Sequence, residues 1–142
     1  MHALAHALNW AAILGEAERN PAEVERLASD LIELTTRQNF ALWLAAGEVL
    51  RGWARSASGD TAKGIAWIED GIDGWRETGA MLILTYWLAL KAEALHLADR
   101  VPEALEAAPK SQWVRRTWIP TTPLLTACGP LPLVQGAFVG AS

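Results

Sequence analysis

The stretch SGDTAKGIAWIEDGIDGW, residues 58–75, holds two glycines five positions apart, Gly59 and Gly64, with Thr61 and Lys63 between them. A phosphate-binding loop of the G-x-x-x-x-G-K-[ST] kind uses that glycine spacing to surround a phosphate with backbone N–H groups. It also needs a lysine directly after the second glycine to reach the outer oxygens. Here Ile65 and Ala66 fill the Lys and Ser/Thr positions, Lys63 precedes the glycine, and the segment before it reads as helix rather than strand. The stretch therefore reads as a joint between helices. Gly59 suits the left-handed conformation that ends a helix, and Asp60 or Thr61 suits the cap of the next, accepting a hydrogen bond from a free backbone N–H.

Three further groups have the right residue types for chemistry. His2 and His6 stand four apart, the spacing that places two zinc ligands on one helix face, but Ala3 fills the general-base Glu position of H-E-x-x-H and no third ligand accompanies them. Glu69, Asp70 and Asp73 form an acidic cluster in which Glu69 and Asp73 lie one turn apart. Such a pair suits proton transfer or a divalent cation, and it equally suits a solvated outer face. Cys128 is the single cysteine, which excludes an internal disulfide and a cysteine-based zinc site and fits a reducing cytosol. No catalytic residue, cofactor or resident metal is expected; a metal-dependent enzyme built on the acidic cluster is the alternative.

The composition bounds the partners. The 142 residues suit one domain, and 51% hydrophobic content supplies a core. Net charge is −4 and the pI about 5.3, against a general nucleic-acid binder. The apolar runs are shorter than the roughly 20 residues a membrane-spanning helix needs, and MHALAHALNW lacks the basic start of a signal peptide. Charge is split along the chain: residues 1–109 carry nine Lys or Arg against sixteen Asp or Glu, net −7, whereas residues 110–142 carry three basic residues, no acid and four of the seven prolines.

Periodicity supplies the elements that must position these groups. Apolar residues recur at helical spacing in residues 2–18 (Leu4, Ala7, Leu8, Trp10, Leu14), 21–37 (Val24, Leu27, Leu31, Leu34), 40–57 (Leu42, Leu44, Ala45, Val49, Leu50, Trp53) and 61–77 (Ile65, Ile68, Ile72, Trp75). A strongly apolar fifth helix is expected over about 81–98, and DRVPEALEAA restarts a sixth with Pro102 near its first turn. Trp10, Trp43, Trp67 and Trp75 are read as packing between helices. No strand pattern appears before the tail. Six helices on short connections pack as antiparallel neighbours.

The joints repeat. RNPAEVERL starts at Arg19, GDTAKGIAW at Gly59 and DRVPEALEA at Asp99, 40 residues apart each time, and the same offset aligns the small residues Ala12, Gly52 and Ala92. Units of this kind bury their apolar faces by stacking.

RGWARSASGDTAKGIAWIEDGI and ALHLADRVPEALEAA resemble tetratricopeptide helix–turn–helix units, through Gly52, Gly59, Asp60 and Gly64 in the first and Ala92, Asp99 and Ala104 in the second. The 40-residue period is longer than the usual 34 or so. Residues 2–108 are also similar to the C-terminal helical-repeat region of large bacterial proteins. Those proteins join a class III adenylate/guanylate cyclase, or a DNA-binding regulator, to an AAA-type ATPase. The resemblance reaches no catalytic motif. It implies an all-α superhelix of hairpin repeats, in units of about 1–40, 41–80 and 81–109, acting as a non-catalytic interaction or regulatory module in the cytoplasm. It implies a protein, peptide or sister domain as partner, with neither nucleic acid nor membrane. Aligned on the small position, it places His6, Asn9, Ile13 and Glu16 on a binding groove in the first unit. Ala46, Val49, Trp53 and Ser56 follow in the second, and Tyr86, Ala89, Glu93 and His96 in the third. A free-standing peptide-binding adaptor is the rival reading. The composition break near Lys110 is open to two accounts, a frameshifted product or a genuine extension, and the chain is expected to be a fragment of a larger protein.

Overall fold

Helix after helix begins and ends where the chain's capping chemistry changes. A computed structural model describes residues 2–108, and the expectations for residues 110–142 lie outside them. Six helices follow in order: α1 His2–Ala17, α2 Pro21–Gln38, α3 Ala41–Ala57, α4 Thr61–Glu77, α5 Leu84–Leu97 and α6 Val101–Ala107. Among the described residues there is no strand.

The joints are more regular than the 40-residue period suggests. Residues with positive φ stand at Arg19 (58°), Asn39 (55°), Gly59 (109°), Gly79 (78°) and Asp99 (61°), one every twenty positions. Glycine enters this region without a Cβ penalty, and Asn39 and Asp99 tolerate it, whereas Arg19 holds it at a cost of about 1 kcal/mol. After the turns at Arg19 and Gly59, side chains cap the next helix, whereas Phe40, Ile83 and Arg100 make no such bond. Asn20 Oδ1 accepts from the Glu23 N–H at 3.3 Å, and Asp60 Oδ1 from the Lys63 N–H at 3.4 Å, so the cap of α4 is Asp60 rather than Thr61.

The α4–α5 joint breaks the pattern. A helix from residue 81 is not formed: α5 starts at Leu84, and residues 80–83 (Ala, Met, Leu, Ile) offer no side-chain cap. Ile83 turns to φ 55° instead, and Met81 and Leu82 stand 74% and 79% exposed.

Each helix packs on the next, and α3 also packs on both α1 and α5, so the first helices of the three hairpins form a row. The closest approach is within the α3–α4 hairpin. A Cβ on Gly52 would lie 2.5 Å from the Gly64 carbonyl oxygen, and one on Gly64 would lie 2.5 Å from the Gly52 oxygen. The two backbones therefore touch at glycine, and Ala12 and Ala92, the forty-residue counterparts of Gly52, are buried too. Trp53 and Trp87 fill the centre, and Trp75 meets Trp87 edge-to-face at 5.6 Å, a geometry worth about 1 kcal/mol beyond area.

Helix α1 buries a face that its leucines do not mark. Ala5, Asn9, Ala12, Ile13 and Glu16 are buried, whereas Leu4, Trp10 and Leu14 are about half exposed or more. Trp10 is thus a surface residue, its indole Nε1–H donating to His6 Nε2 at 2.7 Å, and not interior packing. The physical reason is that α1 carries apolar residues on every side and two polar ones, Asn9 and Glu16, on its inner face, so periodicity alone does not choose its buried side. No described helix is long and apolar enough to cross a membrane.

Candidate interaction site on the first helices

Four of the expected groove residues meet in one network. Glu16 near the end of α1, Trp53 of α3, and Tyr86 and Glu93 of α5 are all buried. Tyr86 Oη donates to Glu16 Oε2 at 2.8 Å, and Trp53 Nε1 donates to Glu93 Oε2 at 3.2 Å. Arg19 joins the two carboxylates: its Nη1 donates to Glu16 Oε1 and to Glu93 Oε2, both at 3.2 Å, and its Nη2 to Glu93 Oε1. The same guanidinium lies 5.4 Å from the Trp53 ring centroid.

Local structure explains the convergence. Ile13, Trp53 and Glu93 are forty-residue counterparts on consecutive first helices, and all three are buried. Arg19 reaches in from the α1–α2 joint, where its positive φ of 58° turns the chain back. Helices α1 and α5 hardly approach through their backbones, so these side chains span the row from its first member to its last.

The electrostatics follow from burial. Removal from water pushes the Glu16 carboxyl above its usual 4.5, and the nearby Glu93 charge adds to this; the Tyr86 hydroxyl and Arg19 oppose it. Burial, with the two carboxylates beside it, pushes the Tyr86 phenol well above 10, which keeps it a donor. The hydrogen bond to Glu93 raises the Arg19 pKa further, so Arg19 holds its charge. The two acids are thus engaged by fixed donors, an arrangement that holds geometry.

Beside the network a cleft of about 240 Å³ opens to solvent, lined by Arg19, Pro21, Trp53, Ala57, Glu93, His96 and Leu97. Arg19 is 36% exposed at its lip. His96 is half-buried with a buried Nδ1 that has no hydrogen-bond partner, and Leu97 is exposed.

The remaining expected groove residues lie elsewhere. His6 is exposed at the other end of α1, edge-on to Trp43 at 5.5 Å, and His2 stacks on Phe40 at 4.1 Å, so the two histidines sit on aromatic neighbours. Asn9 is buried between the two ends, with Oδ1 unpaired. The acidic cluster on α4 is exposed: Glu69 pairs with Lys91 at 3.3 Å, and Asp73 faces Arg76 at 4.0 Å. Sequence reading missed Arg19, which it placed only as the first residue of a joint. The available signal was the forty-residue alignment, where Arg19 is the long cationic side chain opposite Gly59 and Asp99.

Compared with protein-family models, curated proteins and solved structures, the chain matches none.

Proposed function

We propose that residues 2–108 form a tetratricopeptide-like, non-catalytic module that binds an extended peptide or a neighbouring domain along the row α1–α3–α5. The observation that carries this reading is the cleft beside Arg19, Trp53 and Glu93, with the unpaired Nδ1 of His96 and exposed Leu97 at its edge. Residues from α3, α5 and the α1–α2 joint shape one concavity, and the Arg19 clamp spans it. Such pre-organisation lowers the ordering cost of binding, and peptide recognition on helical arrays uses concave faces of this kind. The parent we envisage, on the resemblance noted above, is a signal-transducing protein with cyclase or ATPase domains, in which the partner is another domain of the same chain. The cleft would serve a free-standing adaptor equally well.

A displayed library of extended peptides tests the reading. The expected result is a selected consensus whose affinity drops about tenfold or more in Leu97→Asp, since an apolar contact is replaced by an unpaired charge. Helical content, read by circular dichroism, should be unchanged in that variant. Failure to select any peptide, or selected peptides that bind Leu97→Asp equally well, sinks the cleft as the site.

A further inference from the structure

A second cluster lies on the side of α3 away from Trp53. Arg51 and Arg55, one turn apart on α3, and Lys63 in the first turn of α4 surround the Trp67 indole. Their charged groups stand 4.3, 5.6 and 4.9 Å from the ring centroid. Arg55 pairs with Glu25 of α2 at 2.8 Å. Among the described residues, Arg51 and Lys63 have no carboxylate partner. The Nε atoms of Arg51 and Arg55 are buried without a hydrogen-bond partner. The Asp60 carboxylate caps the Lys63 backbone N–H, not its ammonium.

This is an unusual place to find positive charge. The chain is acidic overall, at −4, yet here three cations share one ring and one carboxylate. Like charges one turn apart on a helix repel. Each cation over an indole recovers only about 0.5–1 kcal/mol where it is exposed to water. With Glu25 counted, the cluster holds a charge of about +2, which matches the −1.5 to −2 of a phosphate group. Two adjacent guanidinium forks and an ammonium are the donor set that oxyanions of this type take.

We propose that Arg51, Arg55, Lys63 and Trp67 form a binding site for a phosphate group, carried either as a free ion or on the side chain of a phosphorylated peptide. The acidic remainder of the chain repels extended polyanions, so the site admits an isolated phosphate. It is separate from the cleft beside Arg19, and its failure would leave the peptide-binding reading of that cleft intact.

The test is a titration of the full chain, by calorimetry and tryptophan fluorescence, with inorganic phosphate, with a phosphoserine tetrapeptide and with its unphosphorylated counterpart. Sodium chloride at matched ionic strength is the control. The expected result is saturable one-to-one binding of phosphate and phosphopeptide, absent with the unphosphorylated peptide. Arg51→Gln should weaken it about tenfold, in line with the loss of a charge-assisted hydrogen bond. Lys63→Gln should weaken it less, and Arg37→Gln, at an exposed i,i+4 pair with Glu33, should leave it unchanged. Tighter binding of the phosphopeptide identifies the peptide as the source; equal binding identifies the free ion. A response no larger than that to chloride overturns the site, as does undiminished binding by the folded Arg51→Gln/Lys63→Gln double variant.

Discussion

Tyr86 Oη and Glu16 Oε2, seventy residues apart in sequence, lie 2.8 Å from each other and join the fifth helix to the first. Both groups are buried, so the bond is made where water does not compete. Its removal leaves a carboxylate short of a donor. Tyr86→Phe should therefore destabilise the fold by about 1–3 kcal/mol, the cost of an unsatisfied buried acceptor. A urea melt checks this, and a stability loss below about 0.3 kcal/mol would show that Arg19 alone suffices for Glu16.

Arg19 serves two carboxylates at once. Truncation to Met keeps the stem over Trp53 and deletes the charge. Breaking a fully buried pair costs about 3–5 kcal/mol, and because Arg19 is 36% exposed the expected loss is nearer 2 kcal/mol. Denaturant unfolding at neutral pH gives the number. Loss in Glu93→Gln combined with Arg19→Met should be less than the sum of the single losses, since the two share an interaction.

Stability should fall as pH rises above 4.5 through the window set by Glu16. Its folded pKa is raised by burial, so between the unfolded and folded values the native state binds more protons than the unfolded chain. Its contribution is full below 4.5 and is lost as the pH passes the folded pKa. Glu48, raised by burial and by Asp70, adds a slope of the same sign. Exposed Glu23 and Glu103, lowered by Arg26 and Arg100, act in the opposite sense and below 4.5. Glu16→Gln, which can still accept from Tyr86, should flatten the melting-temperature profile above that pH; an unchanged profile would show that Glu16 does not titrate in the window.

Two glycines of α4 should answer alanine in opposite ways. Gly64→Ala drives a Cβ to 2.1 Å from Ser56 Oγ and 2.5 Å from the Gly52 oxygen, and backbone cannot give way as a side-chain tip can. A loss of about 3 kcal/mol is expected, at the upper end for overpacking. Gly74→Ala meets only Ala45 Cβ at 3.5 Å, an ordinary contact. There the helix gains about 0.5–1 kcal/mol, because alanine loses less backbone freedom on folding. Thermal melts of the two variants should move apart; movement in the same direction would refute the close crossing of α3 and α4.

What was legible in the sequence was local chemistry. The Asn20-Pro21 restart, the Gly59 stop and the isoleucine period of α4 depend on neighbours within a turn or two, and the structure has helices where they point. The start of α5 was misread because an apolar run satisfies a helical period whether or not anything caps it. The buried side of α1 was hidden for a related reason: its inner face carries the polar residues Asn9 and Glu16, and Glu16 becomes interior through a partner supplied by another helix. For Glu16 that partner is Tyr86, and no window of one helix contains it. The cationic environment of Trp67 was hidden too, since its cations come from both helices of the α3–α4 hairpin.

The clamp from Arg19 to Glu93 changes what kind of object a three-hairpin stack is. A stack whose members touch only their neighbours is a spring: it frays from the ends and its curvature drifts with thermal motion. Bonding the first row-member to the last across the middle one adds a brace to that spring. Pulled from its ends, the braced stack should resist until the ion pair parts and then give way in one step, where an unbraced one would unwind hairpin by hairpin.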